Sequence, residues 1–473
     1  MARIENDLSK GNVLSKLVLF ALPFLISNFV QSLYNVADML IVGRFAGTES
    51  MSAVNIGGQV TFILTNTIIG LSMGGTILIG QYMGAGNQLA LKRTITTLIT
   101  LLVILSIGIT VLMIFLRKPI LHLVRTPPEA FAESDRYLMV TLTGVIFIFG
   151  YNALAAILRG MGNSKQPLIF VTIACVVSII LKFIFVVGLK WGAFGAALTT
   201  VSSQALSVLL CIRYMKKNNF QFDFKLRSFR IYREQLKLIF KIGLPTCVQN
   251  SIVGISFTVV MAIVNMVGGV TASAGVGAVG RFSNFAFMPI MAMSASIAAM
   301  AAQNFGAGKI DRAVSACRIG TIFSVCITYS FFVIVRFFAA EIIGLFGDDP
   351  QMIQDGVIYI RTQSYDFFII PFVFCINGFL IGGGHTFFTL INGVCAAVLL
   401  RVPVCYFFGV TLGWGLRGVG LGAPSASLGT LLIMIVYLST GKWKHNVIHH
   451  KTPAATMEAE AEAIEAGENP GGV

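Results

Sequence analysis

The sequence predicts an all-α polytopic membrane protein with twelve transmembrane helices in two pseudo-symmetric six-helix lobes. Three observations predict it. Hydrophobic residues make up 56% of the 473 residues and charged residues only 11%, against roughly a quarter charged in an ordinary soluble domain. The apolar residues fall into twelve runs of about 20, each long enough as a helix to cross a hydrocarbon core of about 30 Å. The second half of the chain also repeats the first at an offset of about 222 positions.

The first six runs cover 15–43, 53–80, 93–116, 137–158, 167–189 and 193–212; the second six cover 241–265, 277–302, 314–338, 357–381, 386–410 and 418–440. Glu5 and Asp7 precede the first run, which is too long for a signal-peptide core and lacks a small-residue cleavage site, so it is expected to remain a helix. GQYMGAGN (80–87) joins the second run to the third, and AQNFGAGK (302–309) joins the eighth to the ninth. Glycines there suit the left-handed cap that ends a helix. Asn87 is the expected N-cap of the third helix, and Asp311 of the ninth. The same offset of 222 relates Pro23 to Pro245, Asn28 to Asn250, Pro128 to Pro350, Tyr137 to Tyr359, and Leu158, Gly160 and Gly162 to Leu380, Gly382 and Gly384. With one residue inserted, WGAFG at Trp191 corresponds to WGLRG at Trp414. Matches spread this evenly indicate two copies of one unit.

Six spans separate each residue from its copy, so both copies enter the membrane from the same side as parallel repeats. The expected organisation is an N-terminal lobe (1–212), a basic linker (213–240), a C-terminal lobe (241–440) and a disordered tail (441–473). With the N-terminus inside, inner segments carry 22 Lys and Arg and outer segments 9, as the positive-inside rule requires. Both termini and the linker are therefore expected to be cytoplasmic, in a multi-pass plasma (cell inner) membrane protein. The net charge of +14 concentrates in the linker, where anionic lipid rather than nucleic acid is the expected contact.

Several function classes lack their residues. The eight cysteines form no CxxC pair, which argues against zinc and redox motifs. GAGK at 306–309 fails the phosphate-loop pattern because Ile310 follows the lysine. No HExxH, paired-carboxylate or nucleophile constellation marks an enzyme, and no cofactor or metal site is expected. His445, His449 and His450 follow the last run and read as a solvated segment.

The informative residues are charges at membrane depth, which face a cavity or a partner. Asp38 and Asp366 lie well inside runs, and a carboxylate there can bind a proton or Na⁺. Lys182 (in SIILKFIFVV) and Arg401 (in LLRVPVCYFFG) are cations that need compensation. Asp366 and Arg401 make a candidate polar site in the C-terminal lobe. Pro23 lacks an N–H and is a candidate bend in the first helix.

LYNVADMLIVGRFAG in the first run, QYMGAGN and QNFGAGK after the second and eighth, LRGMGNSKQP after the fourth, WGAFGAALTT and LLRVPVCYFFG resemble the multidrug and toxic compound extrusion (MATE) transporters of bacteria. The resemblance spans about 12–440. It implies a two-lobed secondary antiporter, not an enzyme, that exports small organic, often cationic, compounds in exchange for H⁺ or Na⁺. The alternative is a dedicated exporter or flippase of a lipid-linked or natural product. A monomer in the bilayer, without nucleic acid, is expected. The resemblance also implies an ion-coupling site from Asp38, Asn152 and Thr199. At the places in the fifth helix where the family carries Asn and Asp, this chain has Ser178 and Lys182. An Asp38–Lys182 ion pair is the expected substitute for the usual second carboxylate, and a lysine that snorkels away from Asp38 is the alternative.

Overall fold

A computed structural model describes residues 6–218, 220, 222 and 224–444. His445, His449, His450 and the remainder of the tail lie outside the described residues. The N-terminal half builds α1 (Val13–Phe45), α2 (Gly47–Gly84), α3 (Gln88–Leu123), α4 (Pro128–Thr143), α5 (Val145–Gly160), α6 (Lys165–Lys182) and α7 (Gly192–Lys217). The C-terminal half builds α8 (Arg233–Gly306), α9 (Ile310–Gly344), α10 (Pro350–Gln363), α11 (Ile370–Gly382), α12 (Thr386–Val394), α13 (Val402–Tyr406), α14 (Leu416–Gly420) and α15 (Gly422–Ser439). No strand occurs among the described residues.

Among the described residues nine helical stretches are long and apolar enough to span a membrane, three of them running through more than one element (Lys165–Gly188, Thr386–Thr411 and Leu416–Ser439), and the bent pairs α4–α5 (43°) and α10–α11 (48°) each make one more. The 74-residue α8 is two spans joined at Gly269, whose φ of 66° and ψ of −149° are not helical. Twelve spans result, as the apolar runs predict.

The repeat extends to the breaks. Gly269 is the copy of Gly47, and both have positive φ (66° and 81°) where one span turns into the next. Gly144, where α4 meets α5, has Asp366 as its copy, inside the 3₁₀ turn Ser364–Phe368 between α10 and α11. A π-helical turn, Phe183–Gly188, follows α6, and another, Phe407–Thr411, lies before the second Trp-Gly turn. Gly86 and Gly308 take the left-handed conformation (φ 72° and 70°), as expected of the two glycine turns. Asn87 caps α3, accepting from Ala90 N at 2.9 Å. Asp311 is not the cap of α9. The copy of Asn87 is Lys309, α9 begins at Ile310, and Asp311 falls in the first turn, where its charge suits the helix dipole.

α1 stays helical through Pro23, so the carbonyl one turn earlier loses its intrahelical donor there. The lobes meet where α2 packs along α8 and α1 packs on α8's second half. Close approach requires glycine. A Cβ on Gly74 would lie 2.6 Å from Ile239 O, and one on Gly243 would lie 2.9 Å from Leu71 Cα. Leu17, Phe20 and Ala21 of α1 bury with Met293 and Ile297 of α8. Large apolar side chains, among them Phe115, Leu209, Ile255, Phe337 and Val436, stand exposed, which suits a lipid solvent.

Candidate functional site

Two helices each offer a pair of polar side chains one turn apart, so each pair lies on one face. α1 carries Tyr34 and Asp38, and α6 carries Ser178 and Lys182. The faces meet. Lys182 Nζ forms an ion pair with Asp38 Oδ1 and donates to Tyr34 Oη at 2.7 Å. Its ammonium also lies 4.4 Å from the Tyr34 ring centroid. Tyr34 Oη is 3.1 Å from Ser178 Oγ and 3.5 Å from Thr200 Oγ1 of α7.

Lys182 is fully buried, whereas Asp38 keeps 23% side-chain exposure. An ammonium without water needs compensation close by, and the carboxylate and phenol supply it. The Asp38–Lys182 pair expected from the sequence is therefore present. Asn152 donates to Ile148 O of its own helix at 2.8 Å, and Thr199 to Ala196 O at 2.8 Å. Tyr34 and Thr200 are the members that sequence reasoning misses. The signal for Tyr34 is its spacing of four residues before Asp38.

The second lobe has a polar centre of different composition. Asp366 is 5% exposed and lies near the Ser427 side chain and in the field of Arg401, while its Oδ1 has no hydrogen-bond partner among the described residues. Arg401 Nη1 donates to Ser256 Oγ at 3.1 Å, and its guanidinium carbon lies 4.5 Å from the Phe257 ring centroid. Ser256 is the copy of Tyr34, and Arg401 is the copy of Ser178 by the longer offset that relates Trp191 to Trp414. The Tyr34–Ser178 contact of one lobe is thus an Arg401–Ser256 contact in the other. Val260 stands where the first lobe has Asp38. One fold position carries a neutral contact in one copy and a cation in the other. Among the described residues no group of three or more His, Cys, Asp or Glu could hold a metal.

A family profile described as MatE matches residues 23–184 and 245–407, once in each lobe. The probable multidrug resistance protein YpnP of Bacillus subtilis (strain 168) is 29% identical over 442 residues, covering 93% of this chain and 97% of that one. The FAD transporter of Shewanella oneidensis is 26% identical over 430 residues, covering 86% and 90% respectively. A solved structure described as the outward-facing conformation of a multidrug resistance MATE family transporter of the MOP superfamily is similar with a TM-score of 0.85 at 23% identity, covering 92% of this chain and 98% of that one. The structural likeness shows the fold. The profile, matched once in each copy of the repeat, shows the ancestry, and the chain belongs to the MatE family.

Proposed function

We propose that this chain is a secondary antiporter that exports small organic, often cationic, compounds in exchange for an inward ion, by rocking one lobe against the other. Its place is the plasma membrane, as a monomer with both termini cytoplasmic. The observation that carries the reading is the buried Asp38–Lys182 pair. Lys182 occupies the space beside Asp38 that a coupling cation would otherwise take. While Asp38 is charged, the pair is neutral. When Asp38 takes up a proton, the ammonium loses its partner, and the Tyr34–Ser178–Thr200 contacts that join α1, α6 and α7 must rearrange. H⁺ is then the coupling ion, and Na⁺ is disfavoured by the fixed positive charge. Asn152 and Thr199 lie in the same lobe and would serve the rearranged state, and Pro23 supplies the weakened turn about which α1 bends. Asp366 and Arg401 form the polar centre of the second lobe.

The test is flux in proteoliposomes under imposed H⁺ or Na⁺ gradients, for the unaltered protein, Asp38→Asn, Lys182→Met and the double mutant. A proton-driven flux that both single changes reduce, with strongly non-additive effects in the double mutant, supports the reading. Simple additivity, or Na⁺-driven flux in the unaltered protein, sinks it. A second reading, export of one dedicated compound, has support in the similarity to the FAD transporter. Flux of flavin nucleotides with no flux of organic cations would favour it.

A further inference from the structure

At the end of the molecule where Asn6–Gly11 lies, the two glycine turns grip each other across the lobes. Gln81 Nε2 donates to Gly382 O at 2.9 Å, and Gln303 Nε2 donates to Gly160 O at 3.1 Å. Each of the four residues is the copy of another in the set, so these are one contact made twice. The backbones touch in the same exchange. A Cβ on Gly84 would lie 1.9 Å from Gln303 O, and one on Gly306 would lie 1.9 Å from Gln81 O. These contacts cannot survive if the lobes part here.

The two halves of the grip are nevertheless unequal. Gln303 Oε1 accepts from Leu8 N at 2.8 Å, whereas Gln81 Oε1 has no partner among the described residues. The difference is the strap Asn6–Gly11, which runs over both lobes. On the N-lobe side, Asn6 N donates to Met161 O at 3.0 Å, and Asn6 O lies so close to Gly162 that a Cβ there would meet it at 2.2 Å. On the C-lobe side, Leu8 is 1% exposed in a core shared with Met300 and Phe305. Lys309 Nζ reaches Ser9 O at 3.0 Å, and Arg312 reaches Leu8 O (3.3 Å), Lys10 O (3.0 Å) and Gly11 O (2.7 Å). The strap holds its own shape through Asp7, whose Oδ1 accepts from Ser9 N at 2.8 Å and from Ser9 Oγ at 2.6 Å. Burial pushes the Asp7 carboxyl up, but the Ser9 bonds and the Lys10 charge outweigh it and hold the carboxyl below its usual range.

We propose that Asn6–Gly11 is a latch, anchored on the C-terminal lobe by Arg312 and Lys309, that closes the molecule at this end by tying Gln303 to the turn after α5. Opening at this end requires the strap to leave Met161 and Gly162 while it stays with the second lobe. The role of that opening in transport rests on the antiport reading above, but the latch itself is a statement about conformation.

The experiment measures the distance between spin labels at Lys92→Cys (second turn of α3) and Arg318→Cys (third turn of α9), in full-length protein in lipid nanodiscs with the native accessible cysteines replaced. Arg312→Gln loosens only the strap, Gln303→Ala removes the strap and the grip together, and Gln81→Ala removes the other half of the grip. Melting temperature and size-exclusion profile select variants that fold. Arg312→Gln and Gln303→Ala should each raise the ratio of the long-distance to the short-distance population about fivefold or more, the effect of roughly one net interaction. Gln81→Ala should raise it less. An Arg312→Gln distribution like that of the unaltered protein, or a Gln81→Ala shift as large as that of Gln303→Ala, overturns the latch. Absence of flux in the unaltered protein in proteoliposomes would count against the antiport reading and leave the distance result standing.

Discussion

At the scale of the residue, the asymmetry of the Asp38–Lys182 pair decides what each substitution costs. Lys182 has no exposure and Asp38 keeps 23%. Asp38→Asn therefore strands an ammonium away from water, while Lys182→Met leaves a carboxylate with some access to solvent and fills the stem's space with an apolar chain. Breaking a buried pair from one side costs about 3–5 kcal/mol, and Asp38→Asn should lie at the top of that range and Lys182→Met below it. The double mutant should recover much of the loss, because a neutral pair strands nothing. Thermal unfolding in one detergent checks the order, and Lys182→Met melting lower than Asp38→Asn would contradict it. How far this site is legible in the sequence follows from the same residues. A charge inside an apolar run announces itself, so Asp38, Lys182, Asp366 and Arg401 are all visible. Hydroxyls are not, because Tyr34, Thr200, Ser256 and Ser427 have the composition of ordinary helix contacts and acquire meaning only from what faces them.

At the scale of the element, the breaks carry the design. Gly269 turns α8 from one span to the next in a backbone region that essentially only glycine occupies, with nothing within 4 Å of its would-be Cβ. Space is free there and conformation is not. Gly269→Ala should therefore destabilise by about 1–3 kcal/mol through backbone strain alone, whereas Gly277→Ala, helical and equally uncrowded, should be neutral or slightly stabilising. Unfolding measured on the two variants side by side gives the comparison, and equal stability would mean that Gly269 relaxes without strain. The spans, the repeat and the glycine turns are legible because each is a local pattern of hydropathy or turn chemistry. The start of α9 is legible only by copying: Asp311 has a cap's chemistry, but the repeat puts Lys309 at Asn87's position.

At the scale of the whole molecule, the two glycine turns show the limit of local reading. Each ends one helix and starts another, as the sequence predicts, yet Gln81 and Gln303 bond to residues 301 and 143 positions away. No window of sequence contains both partners, so only assembly of the lobes reveals the grip. Orientation is a whole-molecule property as well. The basic residues concentrate in the segments expected to be inside, so Lys225→Cys should react with an impermeant thiol reagent only from inside, and Arg125→Cys only from outside. Labelling of intact cells against inverted vesicles makes the comparison, and reaction of Lys225→Cys in intact cells would reverse the proposed topology.

The ion pair between α1 and α6 also has an electrical consequence. With Asp38 ionised, the two side chains cancel and the first lobe presents no net charge from this centre to the membrane field. With Asp38 protonated, the same centre carries a full positive charge on Lys182. A unit charge moved across the bilayer is worth about 2.3 kcal/mol per 100 mV, so a resting potential that is negative inside pulls the protonated centre inward and is indifferent to the empty one. In the proposed proton exchange, voltage would then act on one half of the cycle only, because a lysine stands where, by the family resemblance, a second carboxylate would leave the proton-loaded centre uncharged or negative.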